Sequence, residues 1–423
     1  MKFNTILLYE DESVENLYPF SIMHPAWEVR CGAARLFEKF NFYFPDAKIF
    51  FSGRNNHLKS FLARFDIKNQ DITRENMLII NSKVMPSKGL FASMEFESKK
   101  QNTESDKSVI FTNNQVPFAL YLPSTEQINP NNFDLNFLPA MLSSLHSLFP
   151  KIEIPNISII NYLWDAIELN GKAISDDFYF FPNRTDLDKF SHYGVWLLEK
   201  DKISIGNNCK IAPFVVLDAE KGEIIIEDNV EIMANSVITG HCHIGKNSLI
   251  KAGAKIYENT SIGEWCKVGG EIENSIIQSY SNKQHEGFLG HSYLGEWINI
   301  GADTNTSDLK NTYGDITVRL GNKEINTRRM FLGLLCGDHT KSCINCMFTT
   351  GTVAGISGIL VKEWFLPNYI PSFSWGGKRE SPIFKVSKAI EIARIVMSRR
   401  NKNLLPEEEV LFKEEYEKVS HKF

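Results

Sequence analysis

Two histidines, His285 and His291, lie close together in the run Asn282 to Asn311, NKQHEGFLGHSYLGEWINIGADTNTSDLKN. A neutral imidazole with an ordinary pKa of about 6.5 can take a proton from a nucleophile at neutral pH, so this run carries the residue type that acid–base chemistry needs. A second set, Cys336, His339, Cys343 and Cys346, reads C-x2-H-x3-C-x2-C, a spacing that zinc tolerates. The competing account is that cysteines fill small inward slots, as Cys242 and Cys266 do. His241 and His243 would add to a zinc site only if they converged with His285 and His291 from adjacent coils. No matching acidic and Arg pattern accompanies them.

These residues must be held by something, and the sequence shows a repeat. From Ile226 a branched aliphatic residue recurs every six positions, at Ile232, Ile238, Ile244, Ile250, Ile256, Ile262 and Val268. Four residues after each of the first seven stand Val230, Ser236, Cys242, Ser248, Ala254, Thr260 and Cys266, all small or β-branched. An amphipathic helix requires spacings of three and four, which this pattern lacks. Hexads build a parallel β-helix with triangular coils, three hexads per turn, in which one coil cannot bury its own face and stacking is obligatory. The register begins at Ile205, Ile211 and Leu217, slips at Glu220 to Glu223, and resumes at Leu294 and Ile300, which places the solenoid at roughly 200–375.

The preceding residues alternate apolar runs with helical stretches. Asn4 to Tyr9, Ala47 to Ser52, Met77 to Ile80 and Val116 to Tyr121 read as strands, and Ala33 to Phe42, His57 to Phe65 and Asn161 to Gly171 as helices, which predicts an open α/β sheet. Ser98 to Gln115 reads as a surface excursion. Pro367 to Gly377 should wrap irregularly, and Ser387 to Asn401 and Pro406 to Val419 read as two closing helices. The division is 1–195, 196–378 and 379–423. Charged residues make up 23% and the net charge is −5, so no basic field exists to hold nucleic acid. No run approaches the ~18 apolar residues of a membrane helix. The first nine residues lead directly into Glu10, Asp11 and Glu12, unlike a secretory leader, so a cytoplasmic protein with reduced thiols is expected.

The run 282–311 resembles the β-helix of the bacterial bifunctional enzymes that join sugar-1-phosphate nucleotidyltransfer to acetyl transfer in making UDP-N-acetylglucosamine. Their segment H-x-x-Y-L-G-D followed by N-I-G-A-G-T is matched by His285, Phe288, Leu289, Gly290 and His291, then by Asn299, Ile300, Gly301, Ala302 and Thr304. The order of parts is similar to the sugar nucleotidyltransferase branch of that family over nearly the whole chain. The resemblance implies a nucleotidyltransferase-like, Rossmann-like α/β domain, a left-handed parallel β-helix and a homotrimer with sites between chains. It implies acyl transfer from acetyl-CoA or another acyl-CoA, with His285 as general base. His291 stands where the family has Asp, as an orienting partner, an alternative base or neither. Backbone N–H groups near Gly301 and Ala302 would face the oxyanion, with Thr304 beside the acyl-CoA. Lys283, Lys255, Lys310 and Asn299 would meet a phosphate or nucleotide on the acceptor.

The chain departs from the family at Phe288, where a Tyr is usual, and at Asp308 and Leu309, where Asn and Tyr are. An acceptor whose polar groups lost those partners would bind poorly, which argues against glucosamine-1-phosphate. In the N-terminal domain the family's Gly-rich phosphate loop is replaced by Glu10, Asp11, Glu12 and Ser13, which would repel phosphate. Pro19, His24, Pro25 and Arg30 are candidates for the missing basic positions. The family's magnesium-binding Asp is absent near Asn81, Ser82 and Lys83, and Asp165 is the substitute Mg2+ ligand to test, against a helix-capping role. Three activities remain open: acyl transfer with weakened nucleotidyltransfer, active nucleotidyltransfer with the β-helix serving assembly, and a non-catalytic scaffold that binds nucleotide-sugars.

Overall fold

Residues 3–68, 75–100, 107–124, 149–361, 365–376 and 382–421 are described in the computed structural model. They divide into two units. The first comprises 1–17, 24–29 and 35–161, and the second 18–23, 30–34 and 162–423.

The first unit is built on a sheet. Its strands are β1 (Thr5–Tyr9), β2 (Lys48–Ser52), β3 (Met77–Asn81), β4 (Val109–Asn113), β5 (Val116–Leu122) and β6 (Lys151–Glu153), in the order β2-β1-β3-β5-β4-β6. β1 runs parallel to both β2 and β3, with Thr5 opposite Lys48 and Met77. Every residue of β1 is buried. Ile6 and Leu8 join one core with Trp27, Phe40 and Phe61, while Leu7 and Tyr9 join another with Ile79 and Leu120. A strand covered on both faces reads as a near-continuous apolar run, which Ile6, Leu7, Leu8 and Tyr9 supply after Thr5. The helices α1 (Leu36–Tyr43) and α2 (Asn55–Arg64) fall on stretches expected from the sequence, and α3 (Lys88–Lys100) is one that the sequence reading did not mark. The stretch 98–115 departs from its surface reading. Within it α3 continues to Lys100 and β4 lies buried through Thr112, although 101–106 fall outside the described residues. The polar opening of the stretch masked the VIFT strand that follows it.

The second unit contains the β-helix. Among the described residues, one face stacks nine parallel strands, from Ile203–Ile205 to Tyr369–Ile370. The second face stacks five from Lys210–Ile211 to Asn282–Lys283, with Lys341–Ser342 and Ile359–Leu360 pairing further on. The third stacks six from Trp196–Leu198 to Phe288–Gly290, and Asn305–Thr306, Met347–Phe348 and Phe365–Leu366 follow. The hexad aliphatics point inward as expected and form one continuous core. At the corners, successive coils stack residues in the left-handed region. Asn229, Asn247, Trp265, Tyr280, Trp297 and His339 form one such column, with φ between +58° and +65°. Asn is favoured there because its short amide tolerates that conformation. Where the rungs turn aromatic they stack: Tyr280 on Trp297 at 4.2 Å and Trp297 on His339 at 6.2 Å.

Helix α4 (Leu163–Phe178) packs on the first face. Its Asn170 and Asp177 accept the backbone N–H groups of Gly32 and Ala33 at 2.7 and 2.8 Å, fastening that short segment over the prism. The closing helices α5 (Val386–Ser398) and α6 (Pro406–Ser420) form an apolar cluster with Tyr280, Trp297, Ile356 and Phe373, residues of separate coils. Residues 367–376 are largely irregular, with a short strand at Tyr369–Ile370; Gly377 lies outside the described residues. Among the described residues, no helix is long and apolar enough to cross a membrane.

Candidate active site

His291 occupies a corner rung directly above Asn259 and Asn274, in the left-handed conformation with φ +42°. Asn259 and Asn274 bond to each other side chain to side chain at 2.9 Å, so an asparagine ladder runs up this corner until an imidazole takes the next rung. The position explains the backbone, since His is among the residues that tolerate that region. The side chain then meets Asp308, whose Oδ2 lies 2.8 Å from Nδ1 of His291. The carboxylate fixes the tautomer in which Nδ1 donates and Nε2 keeps its lone pair, the proton-accepting form of the ring.

Three features hold this pair in place. Strand Phe288–Gly290 ends at Gly290, where a Cβ would run into both Asp308 Oδ2 and the Phe288 ring, so only glycine lets the carboxylate approach. An insertion between strands Asn305–Thr306 and Leu334–Cys336, bearing the hairpin Thr317–Leu320/Lys323–Asn326, brings Phe331 to stack on His291 at 5.0 Å and 23°. Its two ends pair through Leu309 and Phe331, and the Leu332 N–H donates to Asp308 O at 2.8 Å. The insertion thus delivers Asp308 from its start and Phe331 from its end.

Glu273 completes the cluster. One ligand atom from each of Glu273, His291 and Asp308 lies within 4.8 Å of the others, a set able to hold a divalent cation. Burial, together with the neighbouring Asp308, Glu258 and Glu271 carboxylates, raises the Glu273 pKa against the opposing pull of His291. Glu273 was not singled out from the sequence. Its only sequence signal is its place at the end of the strand below Phe288–Gly290.

The other expected site residues lie elsewhere. His285 is exposed in the turn after strand Asn282–Lys283, and its ring makes no hydrogen bond to the described residues. Lys283 corrects its assignment as a phosphate ligand. It takes an inward register opposite Val268, is 1% exposed, and donates to the carbonyls of Gly269 (3.1 Å) and His285 (2.5 Å). Burial pushes its pKa down to about 8. Lys255 pairs with Glu286 at 3.5 Å, and Lys310 donates to the carbonyl of Asp315. Asn299 takes a ladder position between Asn282 and Lys341.

Gly301 already donates its N–H to Ser342 Oγ at 3.0 Å, which removes it from the oxyanion donors expected. Ala302 accepts from the Asn345 N–H, and Thr304 Oγ1 donates to Cys343 O at 3.2 Å. Arg30 is 2% exposed and donates from Nη1 to Ala33 O and from its backbone N–H to Tyr293 Oη. It belongs to the interior of the second unit, not to a phosphate site. Asp165 Oδ2 accepts the Tyr162 N–H at 2.9 Å in the first turn of α4, and a second oxygen lies 3.7 Å from Arg329. It therefore caps a helix and joins no convergent ligand set among the described residues. The cysteine–histidine set does not converge either; His339 lies in the aromatic column against Phe412, while Cys343 and Cys346 approach each other at 3.4 Å. His243 is buried against Glu227 at 2.7 Å, and His241 faces Glu223 at 3.7 Å.

In the first unit, the carboxyl ends of parallel strands β1, β2 and β3 carry a closed charge network. Glu10 accepts the backbone N–H groups of Ala26 and Arg54 and pairs with the Arg54 guanidinium at 3.2 Å. Asp11 accepts from Asn81 Nδ2 at 2.6 Å and lies 3.3 Å from Lys83 Nζ, and Lys83 also donates to Ser13 Oγ. Glu10 and Asp11 of the acidic loop are thus paired with their own neighbours Arg54 and Lys83. A Mg2+ ion does not fit this donor set, because the ammonium of Lys83 already holds the one carboxylate available beside Asn81.

A family model described as sugar nucleotidyl transferase matches residues 6–185, and one described as bacterial transferase hexapeptide (six repeats) matches 223–257. The chain is 26% identical over 272 residues to the bifunctional sugar-1-phosphate nucleotidylyltransferase/acetyltransferase of Sulfurisphaera tokodaii, covering 60% of this chain and 64% of that protein. It is 32% identical over 194 residues to the bifunctional protein GlmU of Methanocaldococcus jannaschii, covering 44% and 46%. Against the bifunctional protein GlmU of Methanococcus vannielii it is 24% identical over 297 residues, covering 68% and 64%. The chain spans less than two thirds of the length of each of these relatives. Residues 6–185 are thus similar to sugar nucleotidyl transferases, and residues 223–257, within the β-helix, to the hexapeptide repeats of bacterial transferases.

Proposed function

We propose that this protein is an acyltransferase that moves an acyl group from acyl-CoA to a sugar-phosphate or nucleotide-sugar, with His291 as general base and Asp308 as its orienting partner. The observation that carries this reading is the 2.8 Å bond from His291 Nδ1 to Asp308. In this reading it takes the place of His285, because Asp308 orients the His291 ring, whereas the His285 ring has no hydrogen-bond partner among the described residues. In the step, the acceptor's hydroxyl or amine gives its proton to His291 Nε2 as its heteroatom bonds to the thioester carbonyl carbon. The imidazolium is stabilised by Asp308. The C–S bond then breaks and His291 returns the proton to the departing thiolate. A trimer with sites between chains accords with the fold class and is part of this proposal.

His291→Ala should lower thiol release from acetyl-CoA, in the presence of an accepted sugar-phosphate, by at least about 100-fold. Asp308→Asn should lower it nearly as far with little change in KM. His285→Ala should leave it within about threefold; a full loss there with activity retained in His291→Ala would overturn the assignment.

The match over 6–185 favours a second reading, sugar-1-phosphate nucleotidyltransfer in the first unit. The ion pairs of Glu10 with Arg54 and of Asp11 with Lys83 support a weakened form of it, since triphosphate would have to displace them. Pyrophosphate release from an NTP and a sugar-1-phosphate, at rates matching acyl transfer, would make it the main activity.

A further inference from the structure

We infer that Cys343 and Cys346 are a redox modification site that closes reversibly to a disulfide across one corner turn of the β-helix. Their sulfurs lie 3.4 Å apart. The pair flanks a tight turn whose third residue, Asn345, is left-handed with φ +57°. A turn of this kind keeps its first and fourth Cα atoms within about 7 Å, inside the span a disulfide bridges. Equivalent corners carry Met233 with Ser236, and Gly301 with Thr304, so sulfur at both positions is peculiar to this coil.

The remaining cysteines offer no comparable site. Cys31, Cys209, Cys242, Cys266, Cys336 and Cys346 are buried, and Cys343 is half-buried. Burial pushes the thiols of Cys209, Cys242 and Cys336 up, and that of Cys266 to about 12, away from the reactive thiolate. Cys343 is thus the thiol an oxidant reaches, and Cys346 the resolving thiol behind it.

The step balances with a small disulfide such as oxidised glutathione as oxidant. The Cys343 thiolate attacks one glutathione sulfur and expels a glutathione thiolate. The Cys346 thiolate then attacks the Cys343 sulfur of the mixed disulfide and expels the second. Two protein thiols lose two electrons and two protons, and one glutathione disulfide becomes two thiols.

Closure matters because of what the turn carries. The Asn345 N–H donates to Ala302 O at 2.8 Å, Thr304 Oγ1 donates to Cys343 O at 3.2 Å, and Gly301 has no Cβ because one would strike Cys343 O. Drawing the sulfurs from 3.4 Å to about 2.05 Å turns both side chains and pulls on the Cys343 backbone that the 301–304 segment contacts. Resting on the acyl-CoA reading and on the expectation that the 301–304 backbone borders the donor, with its Gly301 N–H and Thr304 hydroxyl engaged inside the coil, oxidation should raise KM for acetyl-CoA about tenfold, with the effect lost on reduction and absent in Cys343→Ser.

The test is intact mass and peptide mapping of the full chain in oxidised/reduced glutathione buffers. The expected result is a loss of two hydrogens, confined to the peptide holding 343 and 346 and reversed by reductant. Two alkylatable thiols under all buffers, or a stable glutathione adduct at Cys343 with no bridge, would overturn the site. A bridge with unchanged KM would overturn the coupling to acyl-CoA. Absence of acyl transfer from every thioester would sink the acyltransferase reading and leave the mass result to decide the bridge.

Discussion

At the scale of single residues, polar side chains inside the prism decide how the protein responds to pH. Lys283 replaces an inward aliphatic residue, and its pKa falls from 10.5 to about 8 on folding because the ammonium loses water. Between about pH 8 and 10.5 the unfolded chain holds more protons at this position than the folded one, so stability must rise with pH in that window. Below pH 8 both states are protonated and the cost of the buried charge is fully present. Lys341, also lowered to about 8 by burial, has the same sign, so the measurement must be a difference. The stability of the wild type minus that of Lys283→Met, by urea unfolding at pH 7.5 and 10, should grow with pH. A flat difference would show that Lys283 titrates normally. This inward lysine was not legible in the sequence. Hexad spacing fixes which positions face inward, but the coil of Asn282 and Lys283 falls after the register breaks, and a lysine beside a histidine there reads as surface charge. His291 was visible as a candidate, yet its partner Asp308 was noticed only as a departure from a family pattern, because pairing across an insertion leaves no spacing to read.

At the scale of elements, the coil corners turn a structural habit into a site. The ladder of left-handed asparagines is a consequence of backbone geometry, and the hexads that set it up were readable from aliphatic periodicity alone. The insertion that brings Asp308 and Phe331 over the corner was not, since its hairpin has no partner in the repeat. Gly290 is the point where the two meet. Gly290→Ala keeps the strand but places a methyl group where Asp308 Oδ2 now lies, so the carboxylate must swing away from His291. Acyl transfer should fall by about tenfold or more through kcat while thermal stability changes little. Loss of stability with kcat preserved would show that the glycine serves the coil and not the pair. The strand at Val109–Asn113 was hidden for a different reason, because a polar lead-in outweighed a short apolar run.

At the scale of the whole molecule, each unit keeps its own cores, and the broad classes of both were legible because burial imposes short apolar runs on the strands of the first and a period of six on the coils of the second. What the sequence could not show was which charges would be consumed internally, as Glu10 and Asp11 are by Arg54 and Lys83. The closing helices α5 and α6 belong to this scale too. They cluster with Tyr280, Trp297, Ile356 and Phe373, and Glu415 accepts from Ser372 Oγ at 2.7 Å, so they touch one late coil after another along a single edge. Truncation before Val386 should speed amide hydrogen exchange throughout the coils of 334–373, and unaltered exchange there would refute the dependence. A stack in which each layer grips only the next can unzip from its last layer. Here the final turns are laced together from outside, so none can fray alone, and they should let go as one cooperative block or not at all.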